Sequence, residues 1–120
     1  MKSKAKKKLI AAIGLTAILA LGAFLRFYKL GAYSIGNTYY AATVKSMLTS
    51  WSNFFYAAFE PGGSVTVDKP PLGFWVQAIS AYVFGVNGFA LALPQALAGT
   101  LSIAVLYHLV RKYFGVWAGL

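Results

Sequence analysis

The sequence predicts an all-α membrane protein, with about three transmembrane helices and an amphipathic surface helix in the first outer loop. Three observations predict it. Of 120 residues, 59% are hydrophobic and 11% charged, whereas an ordinary soluble domain carries about 25% charged residues. Long apolar runs follow a strongly basic start. Between the first two runs lies an aromatic-rich stretch whose apolar side chains recur at helical spacing.

Residues 1–8 form a basic N-terminus, with Lys2, Lys4, Lys6, Lys7 and Lys8 directly before an apolar run. They account for much of the net charge of +9. Their clustering, without aromatic interleaving, reads as a positive-inside signal on the cytoplasmic side and not as a nucleic-acid footprint. Residues 9–27 are the first transmembrane helix, since 9–25 carry no charge and span about 26 Å. A cleaved signal peptide is the competing reading, with Ala20-Leu21-Gly22 as its small-residue site. The run is long for such a peptide, and further apolar segments follow.

Residues 28–71 are the first extracytoplasmic loop. Asn37 is suited to cap a helix over about 37–52. There Tyr40, Val44, Met47, Leu48 and Trp51 share one face, which lies either on the membrane surface or against the rest of a larger membrane protein. Glu60-Pro61-Gly62-Gly63 is turn chemistry, and Val65-Thr66-Val67 favours extended backbone. Pro70 restricts Lys69 to extended geometry, and Pro71 can open the next helix.

Residues 72–86 are a short second transmembrane helix, with about 20 Å over 72–84. Gly85-Val86-Asn87-Gly88 is a turn. Residues 89–110 form a third crossing of about 33 Å, with Pro94 in its first turns. Three crossings would put Arg111 and Lys112 outside, against the positive-inside tendency. A re-entrant 72–84 would return them to the cytoplasm. Three crossings are the favoured expectation. Residues 111–120 read as the start of a continuation, which makes the chain the N-terminal piece of a longer protein.

Candidate chemistry is sparse. The chain has no cysteine, one histidine (His108) and two carboxylates, Glu60 and Asp68. Thiol chemistry is excluded on that count, and two carboxylates argue against an all-protein divalent metal cage. A charge at the bilayer centre costs about 3 kcal/mol, so Asp68-Lys69 belongs at the outer interface or in a watered cavity. There Lys69 suits a phosphate diester or pyrophosphate as a point charge, and Asp68 can act as a base or bind a sugar hydroxyl. The plainer reading is a helix-start anchor, with Asp68 near the dipole and Lys69 snorkelling. Glu60, at its turn, is first a structural or solvent-facing residue. Trp75, one turn into the helix after Pro71, is a candidate sugar contact or a structural aromatic.

The string Val67-Asp68-Lys69-Pro70-Pro71-Leu72-Gly73-Phe74-Trp75 resembles the first-loop signature of glycosyltransferase family 39. That family includes protein O-mannosyltransferases and bacterial aminoarabinose transferases of the GT-C fold. Asn37-Thr38-Tyr39-Tyr40-Ala41-Ala42, Ser50-Trp51-Ser52-Asn53-Phe54-Phe55, Phe59-Glu60-Pro61-Gly62-Gly63 and Leu93-Pro94-Gln95-Ala96-Leu97-Ala98-Gly99 resemble a bacterial mannosyl- or glycosyltransferase branch of it. The resemblance covers about residues 24–120. It implies a multi-pass hexosyltransferase of the bacterial cell membrane that takes a sugar from a polyprenyl-phosphate donor, usually with inversion, on the outer face. The acceptor belongs to the cell envelope. It also implies that Lys69 binds the donor phosphate. Many members place an Asp-Glu pair, the favoured base, where this chain has Gly36 and Asn37. The resemblance therefore leaves Asp68 or Glu60 as the catalytic acid of this segment, unless the base lies beyond residue 120, and leaves Asn37 as a sugar contact or structural residue. No cofactor is required of this chain, and a divalent cation stays open for the full-length enzyme. The partners implied are the lipid-linked sugar, the bilayer and the rest of the enzyme, without nucleic acid. The alternative is a small non-enzymatic multi-pass scaffold. The 120-residue chain alone is expected to be inactive.

Overall fold

The structure, a computed structural model, describes residues 2–32 and 34–120, with residues 2–4 through their backbone only. Met1 and the side chains of Lys2 and Lys4, part of the expected basic start, lie outside it. Six helices follow in order: α1 (Lys2–Phe27), α2 (Thr38–Met47), α3 (Trp51–Tyr56), α4 (Pro71–Phe84), α5 (Gly88–Phe114) and α6 (Val116–Gly119). Among the described residues there is no strand, only an isolated bridge between Ala58 and Thr66. The all-α class holds. The lysines do not form a separate tail, because lysine and alanine are good helix formers and α1 runs through them.

Two helices are long and apolar enough to cross a membrane, over Ala5–Phe27 and Gly88–Phe114. Helix α4 has 14 residues, about 21 Å, against a hydrocarbon core of about 30 Å. A third crossing is thus not shown. The two long helices leave large apolar side chains exposed. Leu9, Ile13, Leu21 and Leu25 on α1, and Leu101, Leu106 and Leu109 on α5, are all more than half exposed. That surface suits hydrocarbon, where apolar exposure carries no penalty.

The chain divides into two compact units, one of residues up to 28 and from 96 on, the other of residues 29–95. In the first, α1 and the C-terminal part of α5 pair antiparallel. A Cβ on Gly22 would overlap Ile103, and one on Gly99 would overlap Arg26. Further along, Lys7, Lys8 and Ala11 share a cavity with Tyr107, His108 and Arg111. Rising numbers on α1 therefore meet falling numbers on α5. The absent side chains at Gly22 and Gly99 let the helices approach closely, as small residues do between membrane helices. Arg26 folds back along its own helix, its Nη1 donating to the Gly22 carbonyl at 3.2 Å.

The second unit packs α2, α3 and α4 with the first turns of α5. Its core holds Val44, Met47, Ala57, Val67, Phe74, Ala78, Ala81, Ala90 and Leu91. Burial of each larger side chain contributes about 1.5–3 kcal/mol. Tyr40 reaches this core edge-on to Phe74, with centroids 5.3 Å apart. So Val44 and Met47, the expected apolar face of the loop helix, turn inward against α4.

The helix expected over 37–52 is two helices. Asn37 caps the first as anticipated, its side chain accepting from the Tyr39 and Tyr40 amides at 3.0 and 3.4 Å. The break follows from hydroxyl competition with the backbone. Thr49 Oγ1 donates to the Ser46 carbonyl at 2.7 Å. Ser50 is extended, and its hydroxyl accepts from the Asn53 amide at 3.1 Å, capping α3. The new helix resets the phase, and Trp51 is left 77% exposed instead of sharing the face of Val44. The turn at 85–88 forms as expected. Asn87 Oδ1 accepts from the Ala90 amide at 2.9 Å, and Asn87 Nδ2 donates to the Phe84 carbonyl at 2.8 Å. Pro94 lies inside α5, and Gln77 Nε2 donates to the Leu91 carbonyl just before it, at 3.1 Å.

The antiparallel pairing predicts a crosslinking pattern, readable because the chain has no cysteine of its own. Gly22→Cys with Ile103→Cys should form a disulfide on mild oxidation in membranes, seen as a gel-mobility shift. Gly22→Cys with Val105→Cys, on the far face of α5, should not. Crosslinking of the second pair alone would refute the register.

Candidate functional site

The loop between α3 and α4 is built around Asn53, a residue 5% exposed. Its Nδ2 donates to Thr49 Oγ1 at 2.9 Å, to the Pro61 carbonyl at 3.0 Å and, more weakly, to the Ser46 carbonyl at 3.4 Å. One amide group thereby ties the end of α2, the start of α3 and the 60–64 turn. Gly63 has φ +74, and a Cβ there would meet Asn53 Oδ1 at 2.8 Å. The glycine gives both the left-handed backbone and the room for the amide.

From that anchor the chain runs back along itself. The Ala58 amide donates to the Asn53 carbonyl at 2.9 Å, the Phe59 amide to the Val65 carbonyl at 2.8 Å and the Val67 amide to the Ala57 carbonyl at 3.0 Å. Ala57 turns the chain with φ 50, a left-handed conformation that alanine adopts at a cost. Val67 points into the core at 7% exposure. Alternation along extended backbone then sends Asp68 outward. Pro70 is extended, with φ −56 and ψ 139, and Pro71 begins α4 where its missing N–H costs nothing.

Glu60 closes the turn. Its carboxylate accepts from the Gly62 amide at 2.5 Å, the Ser64 amide at 2.6 Å and the Ser64 hydroxyl at 2.8 Å. The Ser64 amide, the Ser64 hydroxyl and the Gly62 amide, in that order, hold its pKa below the ordinary 4.5. A carboxylate stabilised in its charged form is a weaker base. From the Ala58–Thr66 bridge, Glu60 lies two residues toward the turn and Asp68 two residues the other way. That separates them by about 13 Å along the ribbon.

Asp68 and Lys69 form an ion pair, Oδ2 to Nζ 3.5 Å, with both side chains more than half exposed. An exposed pair contributes about 0–1 kcal/mol, so an incoming anion can displace the carboxylate at little cost. Lys69 lines a cavity of about 310 Å³ with Tyr56, Ala57, Thr66, Val67 and Trp75. Trp75 is the wall and also a strut. Its Nε1–H donates to the Phe54 and Phe55 carbonyls at 2.9 and 3.2 Å. Carbonyls in the last turn of a helix lack intrahelical partners, so the indole satisfies the end of α3 while fixing α4 against it. Its ring lies 6.0 Å from that of Phe55 and 6.5 Å from that of Phe54.

The structure thus brings Asp68, Lys69 and Trp75 together and leaves Glu60 and Asn37 apart. Asn37 belongs to the start of α2, where Tyr39 stacks on Phe59 at 4.5 Å. Gly36, just before it, has φ +75. The two positions where a carboxylate pair would stand are used for a left-handed turn and a helix cap. Asn53 was missed from sequence. The signal available was Ser50 ahead of an aromatic run, an N-cap pattern, with one amide inside that run.

The described residues thus combine two helices of membrane-crossing length with an exposed Asp68–Lys69 pair at the start of α4. Residues 68–120, beginning at the ion pair itself, match the family model described as dolichyl-phosphate-mannose-protein mannosyltransferase. Two proteins of Bacillus subtilis strain 168, provisionally named mannosyltransferases YycA and YkcB, are 50% and 46% identical over 87% and 92% of this chain. The chain spans 15% of the length of each. An undecaprenyl phosphate-alpha-4-amino-4-deoxy-L-arabinose arabinosyl transferase of Pseudomonas savastanoi pv. phaseolicola is 33% identical over 83% of the chain and 19% of its own length. No solved structure matches. By these matches the chain belongs to glycosyltransferase family 39, of the GT-C membrane glycosyltransferases.

Two outcomes follow from the site's construction. Asn53→Asp keeps the shape of the side chain but removes its donors. It should destabilise the 29–95 unit by about 2–3 kcal/mol, as much as Asn53→Ala, in denaturant unfolding in detergent. Glu60 has a lowered pKa when folded, so its contribution is present above about pH 4.5 and lost as pH falls through the folded value. Hydrogen exchange at the Gly62 and Ser64 amides should accelerate, relative to neighbouring amides, on acidification through that window. Glu60→Gln should abolish this pH dependence.

Proposed function

We propose that this chain is the donor-binding N-terminal segment of a bacterial membrane glycosyltransferase that moves a hexose, mannose in type, from a polyprenyl phosphate to a cell-envelope acceptor. Residues 28–71 lie on the outer face, where Lys69 holds the donor phosphate. One observation carries the reading: Lys69 lines a cavity beside a helix start without a side-chain cap. The α4 N-terminus presents free amides and the positive end of its dipole, both of which favour an anion. Space around Gly73 is open, with nothing within 4 Å of where a Cβ would stand. A phosphate can therefore approach the first turn and exchange Asp68 for itself at the ammonium.

In the reaction, the acceptor hydroxyl attacks the anomeric carbon and the bond from that carbon to the phosphate oxygen breaks, with inversion. Lys69 compensates the charge that grows on the departing polyprenyl phosphate, a stabilisation that rises toward the transition state. Asp68 is the carboxylate this segment offers to take the acceptor proton. The hydrogen bonds that hold Glu60 in its turn favour Asp68 over it in that role. Trp75 acts as the strut of the site, and Asn37 as the cap of α2.

The topology that supports this has α1 and α5 crossing the bacterial cell membrane and α4 re-entering part-way. The antiparallel pairing of α1 with α5 puts Lys7 and Lys8 at the same end as Arg111. With those ends cytoplasmic, every basic cluster obeys the positive-inside tendency. The multi-pass remainder of the enzyme then completes a site that two crossings cannot enclose, and the isolated chain is inactive.

In the full-length enzyme, Lys69→Ala should lower transfer from a polyprenyl-phosphate sugar by about 100-fold or more, with Lys69→Arg retaining part of it. Asp68→Asn should lower kcat with little change in KM. Wild-type rates in Lys69→Ala at normal expression would overturn the site. An unchanged kcat in Asp68→Asn would move the base elsewhere in the enzyme.

A further inference from the structure

The unit formed by α1 and the C-terminal part of α5 contains a second cavity, of about 630 Å³, which the transfer reaction does not use. Its volume falls in the range of small-molecule sites, about 300–1,000 Å³. Its lining is ordered along the helices. On α1, Lys7 and Lys8 are followed by Ala11 and Ala12 and then by Leu15, an i, i+4, i+8 stripe that descends about 12 Å from charge to hydrocarbon. On α5, which runs the other way, Arg111 stands at the charged end and Tyr107 deeper. Tyr107 is 4% exposed, and the Arg111 guanidinium lies over its ring at 5.8 Å.

The remaining wall comes from α6. Gly115 turns the chain with φ +88. A Cβ on Gly119 would lie 3.1 Å from the Tyr107 carbonyl oxygen and 3.2 Å from Arg111 Cβ. This close approach folds Val116 and Trp117 over the cavity. Trp117 is 68% exposed, an amphipathic ring of the kind that settles at headgroup level. Among the described residues neither side-chain carboxylate, Glu60 or Asp68, lines the cavity, whereas three cations, Lys7, Lys8 and Arg111, do.

We propose that this cavity is a binding site for the phosphate headgroup of an anionic glycerolipid of the inner leaflet. The phosphodiester is held by Lys7, Lys8 and Arg111, and the glycerol and upper acyl chain lie on Ala12, Leu15 and Trp117. Lysines and an arginine between membrane helices are the chemistry that recognises anionic headgroups. The apolar floor selects a lipid over a free phosphate. The bound lipid bridges α1 to α5 at the end opposite the Gly22 and Gly99 contacts and so strengthens their pairing. The proposal depends on that pairing and not on glycosyl transfer, so loss of transfer activity does not bear on it.

The test is native mass spectrometry of the purified chain in dodecylmaltoside, titrated with dioleoylphosphatidylglycerol, dioleoylphosphatidylcholine or soluble sn-glycerol 3-phosphate. One phosphatidylglycerol should be retained per chain, at least tenfold more tightly than phosphatidylcholine. The triple variant Lys7→Gln, Lys8→Gln, Arg111→Gln should lose at least tenfold in affinity. Lys6→Gln, Lys45→Gln, Lys112→Gln, with the same loss of charge elsewhere, should bind normally. Ala12→Phe, which fills the floor and leaves every charge in place, should also expel the lipid. Equal losses in the two triple variants would reduce the effect to diffuse attraction and overturn the site, as would equal affinity for phosphatidylcholine or unchanged binding by Ala12→Phe. Glycerol phosphate binding as tightly as the lipid would overturn it in favour of a soluble anion.

Discussion

The loop site depends on one buried amide. Asn53 Nδ2 reaches the Pro61 carbonyl, Thr49 and the Ser46 carbonyl, and so joins segments that have no apolar reason to meet. A buried amide left without partners costs more than its hydrogen bonds return, so the arrangement is all or nothing. Everything downstream takes its register from it. The turn at 60–64 sets the Ala58–Thr66 bridge, the bridge points Val67 inward, and Asp68 and Lys69 then face outward. Pro70 and Pro71 convert that exit into the start of α4. Trp75 returns one turn later to close on the carbonyls of α3. The anchor uses the Asn53 side chain and the strut the carbonyls of Phe54 and Phe55, and together they hold a six-residue helix in place.

The two units answer different demands. In residues 29–95 the polar groups of the loop are held by caps and turns, apart from the buried Ser46 and Ser80 hydroxyls, and the core is small and internal. In the pair of α1 and α5 the side chains face outward, and contact is made through glycine. The first arrangement suits an interface where polar turns meet water. The second suits hydrocarbon, where close backbone approach replaces the hydrophobic effect.

Much of this was legible in the sequence. The all-α class, the Asn37 cap, the Pro71 helix start and the turn at 85–88 were each readable because one residue type dominates the local energetics. The long apolar runs were readable by length alone. The break at Ser50 was not, because Val44, Met47 and Trp51 keep helical spacing across it. Only the competition of the Thr49 and Ser50 hydroxyls with the backbone decides the matter. The role of Trp75 was hidden for a different reason, since its partners are backbone carbonyls about twenty residues away, and no side-chain pattern records a carbonyl. The pairing of α1 with α5 was hidden too. Glycines in apolar runs do not say which helix they face, and only the approach of Gly22 to Ile103 shows it.

The family resemblance named Lys69, and the structure supplies a physical setting for it: an exposed, loosely paired ammonium beside an uncapped helix start. The most direct measurement is the structure of the full-length protein with a polyprenyl phosphate bound. The account predicts the phosphorus within about 4–5 Å of Lys69 Nζ, in reach of a charge-assisted contact, over the first turn of α4, with Asp68 released from the lysine. A phosphate bound elsewhere, with the Asp68–Lys69 pair intact, would contradict it.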